Sequence, residues 1–338
     1  MKKKGVEVIF SVTITLILIW SLFLFFILYQ NYNKIPSCND GTLYGSCSFV
    51  KPFYCFNGSL IEKASVCGCS DISTVSGEEC YLEYKEEPKN ISLNYTLRGE
   101  SGNINFTVYK KLYDYLSEIP RYIHSGENLT SLSLRLEYLD EANQNELLLP
   151  LVVSIENLTR VKEDQARIAV SIIQNIPFGS TGKTFKLGNK IFYYERYPYE
   201  VLYDLEGVCG EKSALLIFLL KELGYSSAFL YYPDENHEAV GISCPVEEST
   251  NKSGYCFIET TGPSIISDDK TEYIGIEKLN SIPSIIEISG NLSFGKNLYE
   301  YNDADILEKI RERAKEHGTI YYFQHIQYQL IKKKYGLN

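Results

Sequence analysis

One cysteine stands apart in the stretch DLEGVCGEKSALLIFLLKELGY, Asp204 to Tyr225. Cys209 lies between Gly207 and Gly210 and soon gives way to an unbroken apolar run, Ala214 to Leu220. The pattern from Gly210 to Leu223 predicts a helix buried on nearly all sides and stopped by Gly224. A thiol where such a helix begins meets unsatisfied N–H groups and the positive end of the helix dipole. Both favour the thiolate, which is the nucleophile. The plainer reading is a small buried cysteine that helps the helix pack. These residues alone leave the two readings open.

A nucleophilic cysteine needs a base, and the base needs an orienting group. His124 is isolated among polar residues, and His317 and His325 lie in a charged C-terminal stretch. His237 instead opens a predicted strand, NHEAVGISC, directly after the turn-forming PDEN. The next predicted strand, GYCFIETT, carries Glu259 near its end, an acid in an apolar setting on the partner strand of a hairpin. A strand-end charge is its plainer reading. Facing His237 with Glu259 and Cys244 with Cys256 requires registers four residues apart, with the cysteines on the opposite face. A regular ladder holds only one of these pairings. A bulge, or an intermediate register with both pairs diagonal, is needed to hold both.

Cysteine at a helix start, then histidine, then acid on consecutive strands resembles the transglutaminase-like superfamily, whose core is papain-like. The resemblance rests on YPYEVLYDLEGVCGEKSALLIFLLKELGYSSAFLYY, NHEAVGI, YCFIETTGPSII and, upstream, IIQNIPFG, and covers residues 161–300. It implies an α+β fold in which a central helix carrying the cysteine packs on an antiparallel sheet. By the same resemblance Cys209 is the nucleophile, His237 the general base and Glu259 the group that orients the imidazole. Aspartate is commoner than glutamate at that third position. Thr260 and Thr261 continue the motif. The oxyanion hole is expected to use the Cys209 N–H with Tyr203 or Gln174. The implied chemistry is thioester acyl transfer on protein or peptide amides, ending in hydrolysis or in transfer to an amine. The chain has no calcium loop of the Asp-x-Asp-x-Asp-Gly type, and no metal or cofactor is expected. The alternative is a non-catalytic surface scaffold that uses the same fold for binding.

The elements around this core are read from composition and spacing. The segment 6–29, after MKKK, has a single charge, Glu7, and is long enough to cross a bilayer as a helix. The lysines predict a cytoplasmic N-terminus and an extracellular remainder, single-pass and membrane-anchored, with substrates in the cell envelope. Cys38, Cys47, Cys55, Cys67, Cys69 and Cys80 crowd a Gly- and Ser-rich stretch, which predicts a disulfide-stapled module. Zinc would want paired C-x-x-C knuckles, and the spacing here does not provide them. This stretch also resembles a module of archaeal membrane-anchored relatives of the superfamily. Sequence leaves its pairing open. Cys244 and Cys256 flank a polar loop and could bridge it, which leaves Cys209 as the odd thiol.

Asn-x-Ser/Thr sequons at Asn57, Asn90, Asn94, Asn105, Asn128, Asn157, Asn251 and Asn291 are candidate glycosylation sites. ISLNYTL and INFTV around RGESG predict a β-hairpin, and 109–119 and 163–174 predict helices. The chain thus divides into a tail (1–5), the apolar segment (6–29), the cysteine module (31–84), a lead-in (85–160), a catalytic domain (161–300) and a helical C-terminal segment (301–338). A net charge of -10 argues against nucleic acid as a partner.

Overall fold

Helix α6 (Cys209–Glu222) is the axis of the molecule, and Leu215 to Leu220 are buried on all its sides; the other labels follow chain order. The structure is a computed structural model that describes residues 19–21, 36–119, 136, 138–179, 183–187, 190–270 and 279–337, with backbone alone over 183–193. Burying each large aliphatic or aromatic side chain of α6 contributes about 1.5–3 kcal/mol. The helix therefore holds its neighbours by area rather than by any single contact.

On one side α6 packs against β9 (Ser227–Tyr232) and β10 (His237–Ser243). With β11 (Tyr255–Ile258) and β12 (Ser284–Ile288) these form an antiparallel sheet ordered β11-β10-β9-β12. Val240, Ile242 and Ile258 join the main core with α6, while Ala239 and Phe257 face a smaller cluster on the other side. The other flank of α6 meets α4 (Lys162–Asn175) and α3 (Ala142–Leu158). The predicted hairpin is β5 (Pro88–Leu97) and β6 (Glu100–Tyr109). Its two-residue turn puts Arg98 and Gly99 both at positive φ, the turn that matches strand twist. The predicted helices are α2 (Lys110–Glu118) and α4, and α6 follows its expected span within a residue. The fold class is thus α+β, with small antiparallel sheets and packed helices.

The cysteine module builds one hairpin from β1 (Phe53–Phe56) and β2 (Ser59–Glu62), and another from β3 (Thr74–Ser76) and β4 (Glu79–Tyr81). The short helix α1 (Ala64–Cys67) lies between them. Disulfides pair Cys38 with Cys55, Cys47 with Cys67, and Cys69 with Cys80. Each adds about 2–4 kcal/mol to a module too small to bury a core of its own. The module sits on α3: Val153 completes a cluster with Cys38, Phe53, Cys55 and Leu60. Both polar atoms of the Asn157 side chain bond the Leu60 backbone, at 3.0 and 3.2 Å.

At the other end, α7 (Tyr299–His317) and α8 (Tyr322–Tyr335) fold back onto the hairpin. Arg167 of α4 forks onto the Glu300 carboxylate at 2.5 and 2.9 Å.

Among the described residues no helix is long and apolar enough to cross a membrane. This corrects the expected single-pass anchor at 6–29, and with it the assignment of the N-terminus to the cytoplasm and the remainder to the outside. Of that segment only 19–21 are described; the rest, the tail at 1–5 and Asn128 lie outside the described residues. The other seven sequon asparagines are solvent-exposed.

Candidate active site

Cys209 is the first residue of α6, half-buried, and the one free thiol beside four disulfides among the described residues. Val208, just before it, has no side-chain oxygen to cap the helix. The Glu211 carboxylate does so from inside the first turn, accepting the Val208 N–H at 2.9 Å. Glu211 also accepts the Arg196 N–H at 2.8 Å and faces the Arg196 guanidinium at 3.1 Å. The remaining arms of Arg196 reach Asp204 at 2.9 Å, at the end of α5 (Pro198–Asp204), and Glu206 at 2.7 Å. One guanidinium therefore ties α5, the turn and the first turn of α6. Burial pushes the Glu211 carboxyl up, against the pull of the Val208 and Arg196 donors.

The turn is braced from the other side. Gly207 accepts from Gly179 at 3.0 Å and donates to Pro177 at 3.4 Å. A Cβ at Gly207 would stand 3.1 Å from both Val201 and Lys212, so the close approach favours glycine.

His237 opens β10 and is 1% exposed. Its Nε2 lies 2.9 Å from Glu259 Oε2, and Glu259 is also 1% exposed. The Cys209 side chain is hydrogen-bonded to the same ring, and Nδ1 is the ring nitrogen left for it. Burial works against charge on the imidazole, but the Cys209 and Glu259 partners outweigh it and lift its pKa to about 10. Burial likewise opposes charge on Glu259, and His237 and Thr261 outweigh it, holding the carboxyl below the usual range. Its Oε1 accepts the Thr260 N–H at 2.9 Å, the Thr261 N–H at 2.8 Å and the Thr261 hydroxyl at 2.7 Å. Both oxygens are thus hydrogen-bonded, which is the condition for keeping a charge inside a protein. Thr260 closes the circuit, its hydroxyl 3.4 Å from the Cys209 carbonyl.

The strand register explains how the site and the bridge coexist. Val240 faces Ile258 and Ile242 faces Cys256, midway between the two registers that the pairings demand. His237–Glu259 and Cys244–Cys256 are therefore both diagonal pairs on opposite faces, with the disulfide closed and no bulge required.

Neither residue expected as an oxyanion donor is brought to Cys209 by a described bond. Gln174 spends its amide on the Glu259 carbonyl at 3.0 Å and on Ser264, so it positions the strand that carries the acid. The Tyr203 ring packs on Tyr113 at a 30° tilt with centroids 4.4 Å apart and carries the Lys89 ammonium at 4.4 Å. It has no bond to Cys209, His237 or Glu259 among the described residues. The Cys209 N–H, at the open start of a helix, remains the donor that the geometry provides. Arg196, Glu211 and Lys212 escaped the sequence reading. Of these only Glu211 left a signal, as an acid three positions after the cap. Among the described residues no group of three or more His, Cys, Asp or Glu side chains could hold a metal ion.

The array at the start of α6 is thus a thiol, a buried imidazole and a buried carboxylate in hydrogen-bonded sequence. No protein-family model and no curated protein matches the chain. Among solved structures it is similar to calcium-bound LapG of Legionella pneumophila, at 11% identity over 53% of this chain and 99% of that one. The TM-score of 0.25 is too low for that likeness to carry an argument.

Proposed function

We propose that the protein is a cysteine-dependent acyl-transfer enzyme of transglutaminase-like type, acting on protein or peptide amides. Cys209 is the nucleophile, His237 the general base and acid, and Glu259 the orienting group. The observation that carries this reading is the buried His237–Glu259 pair at 2.9 Å with Cys209 bonded to the same imidazole. A structural histidine needs one partner. Here the ring spans a free thiol and a carboxylate that four donors keep ionised.

In the reaction the Cys209 thiol passes its proton to the His237 imidazole as Sγ attacks the amide carbonyl carbon, and the C=O electron pair moves to oxygen. That oxyanion meets the Cys209 N–H at the positive end of α6. On collapse the imidazolium gives its proton to the leaving amine, the C–N bond breaks, and a thioester remains on Sγ. His237 then takes a proton from the acceptor, water or an amine, which attacks the thioester; the C–S bond breaks and the imidazolium returns the proton to sulfur, regenerating the thiol. Glu259 stays ionised throughout and keeps Nδ1 turned to sulfur.

The test is amide hydrolysis and amine incorporation by the wild-type chain and by Cys209→Ser, on an unstructured glutamine- and lysine-containing protein with a fluorescent amine added. Activity in the wild type that disappears in the variant is expected. Equal activity in both would sink the proposal, and release without amine incorporation would assign hydrolysis.

A further inference from the structure

Lys212 is the one lysine on α6 that the turn packs away completely, with 0% of its surface exposed. It lies three residues after Cys209, on the same helical face and within about 6 Å by Cβ spacing. Its stem runs beneath Gly207, where a Cβ would stand only 3.1 Å from it, a tight contact. Its Nζ then donates at 2.5 Å to the carbonyl of Ile176, immediately before the Pro177–Gly179 segment that brackets Gly207. Among the described residues no carboxylate lies within ion-pair distance of that ammonium, unlike Arg167 and Arg196.

A buried cation without a carboxylate partner costs stability, and an apolar chain of the same shape would remove that cost. Residues that break a local rule without structural gain are expected at functional sites. Burial lowers the pKa of Lys212 to about 8, with the Glu259 carboxylate opposing, so the group is still largely charged at neutral pH.

We propose that Lys212 is a positioning residue for the nucleophile: its buried ammonium braces the turn that presents Cys209 and supplies a positive field to the thiolate. The inference rests on the catalytic reading of Cys209. No bond is made or broken at Lys212; the residue acts through the geometry and charge of the turn.

The test compares iodoacetamide alkylation of Cys209 at pH 6 in wild type, Lys212→Met and Lys212→Gln, with thermal melting of each. Methionine keeps the shape and removes the charge, while glutamine keeps a donor for Ile176. The expected result is a drop in alkylation rate of tenfold or more in both variants, with a melting temperature equal to or above wild type. Alkylation within twofold of wild type in the methionine variant overturns the proposal. So does loss of cooperative melting in both variants, which would make Lys212 structural. A slow wild-type rate, no faster than a free thiol, would instead overturn the catalytic reading itself.

Discussion

Glu259 holds a charge inside the protein because each of its oxygens has a donor, and the imidazole is one of them. That arrangement has a pH signature. The His237 pKa is raised, so its contribution to stability is full below the unfolded value of about 6.5 and is lost as pH rises through about 10. The Glu259 pKa is lowered, so its contribution is present above the unfolded value of about 4.3 and is lost as pH falls through the folded value. The two overlap most between about pH 5 and 6.5. Glu259→Gln should therefore destabilise most in that window, with the gap to wild type narrowing at pH 3 and again at pH 10. Melting curves at the three pH values check this, and a gap independent of pH would contradict it. The same variant should lose roughly 10²-fold or more in turnover, since it frees the imidazole to turn away from sulfur.

Helices and strands set these residues in place, and here sequence was only partly legible. The order Cys209, His237, Glu259 and the opposite-face parity of Cys244 and Cys256 could be read, because alternation along a strand is a local rule. The register could not. It is fixed by Val240, Ile242 and Ile258 packing on α6, which no single strand encodes. Gln174 was legible as a polar residue near the site but not in its role, since its partners Glu259 and Ser264 lie some ninety residues away. Arg196 was invisible for the same reason: its three carboxylates meet only once α5 and α6 are in place. Glu211→Ala removes the helix cap and leaves the buried Arg196 short of a partner. It should cost about 3–5 kcal/mol and slow Cys209 alkylation, as urea denaturation and labelling would show. A loss below about 1 kcal/mol would mean that Arg196 is held adequately by Asp204 and Glu206.

Across the whole molecule, the cysteine module and the core are joined through α3, and Asn157 is the most direct link. Its sequon made it a glycosylation candidate, yet its amide nitrogen donates to the Leu60 carbonyl, a bond that a glycan would have to displace. Glycan mapping should find Asn157 unoccupied even where the exposed Asn57, Asn251 and Asn291 are occupied. Occupancy at Asn157 would place the module off α3. Asn157→Ala should cost about 1–3 kcal/mol and raise hydrogen exchange in β1 and β2 without changing labelling at Cys209. Disulfides form readily where the surroundings are oxidising. A cysteine that stays unpaired beside four closed bridges is the feature the catalytic reading accounts for.

The most direct measurement is the rate of iodoacetamide labelling of Cys209 at pH 6 in wild type and in His237→Ala, read by peptide mass spectrometry. An activated Cys–His pair gives fast wild-type labelling that drops at least tenfold in the variant while the fold is retained. Equal and slow labelling in both proteins would show a thiol that the imidazole does not activate, and would contradict the account at its centre.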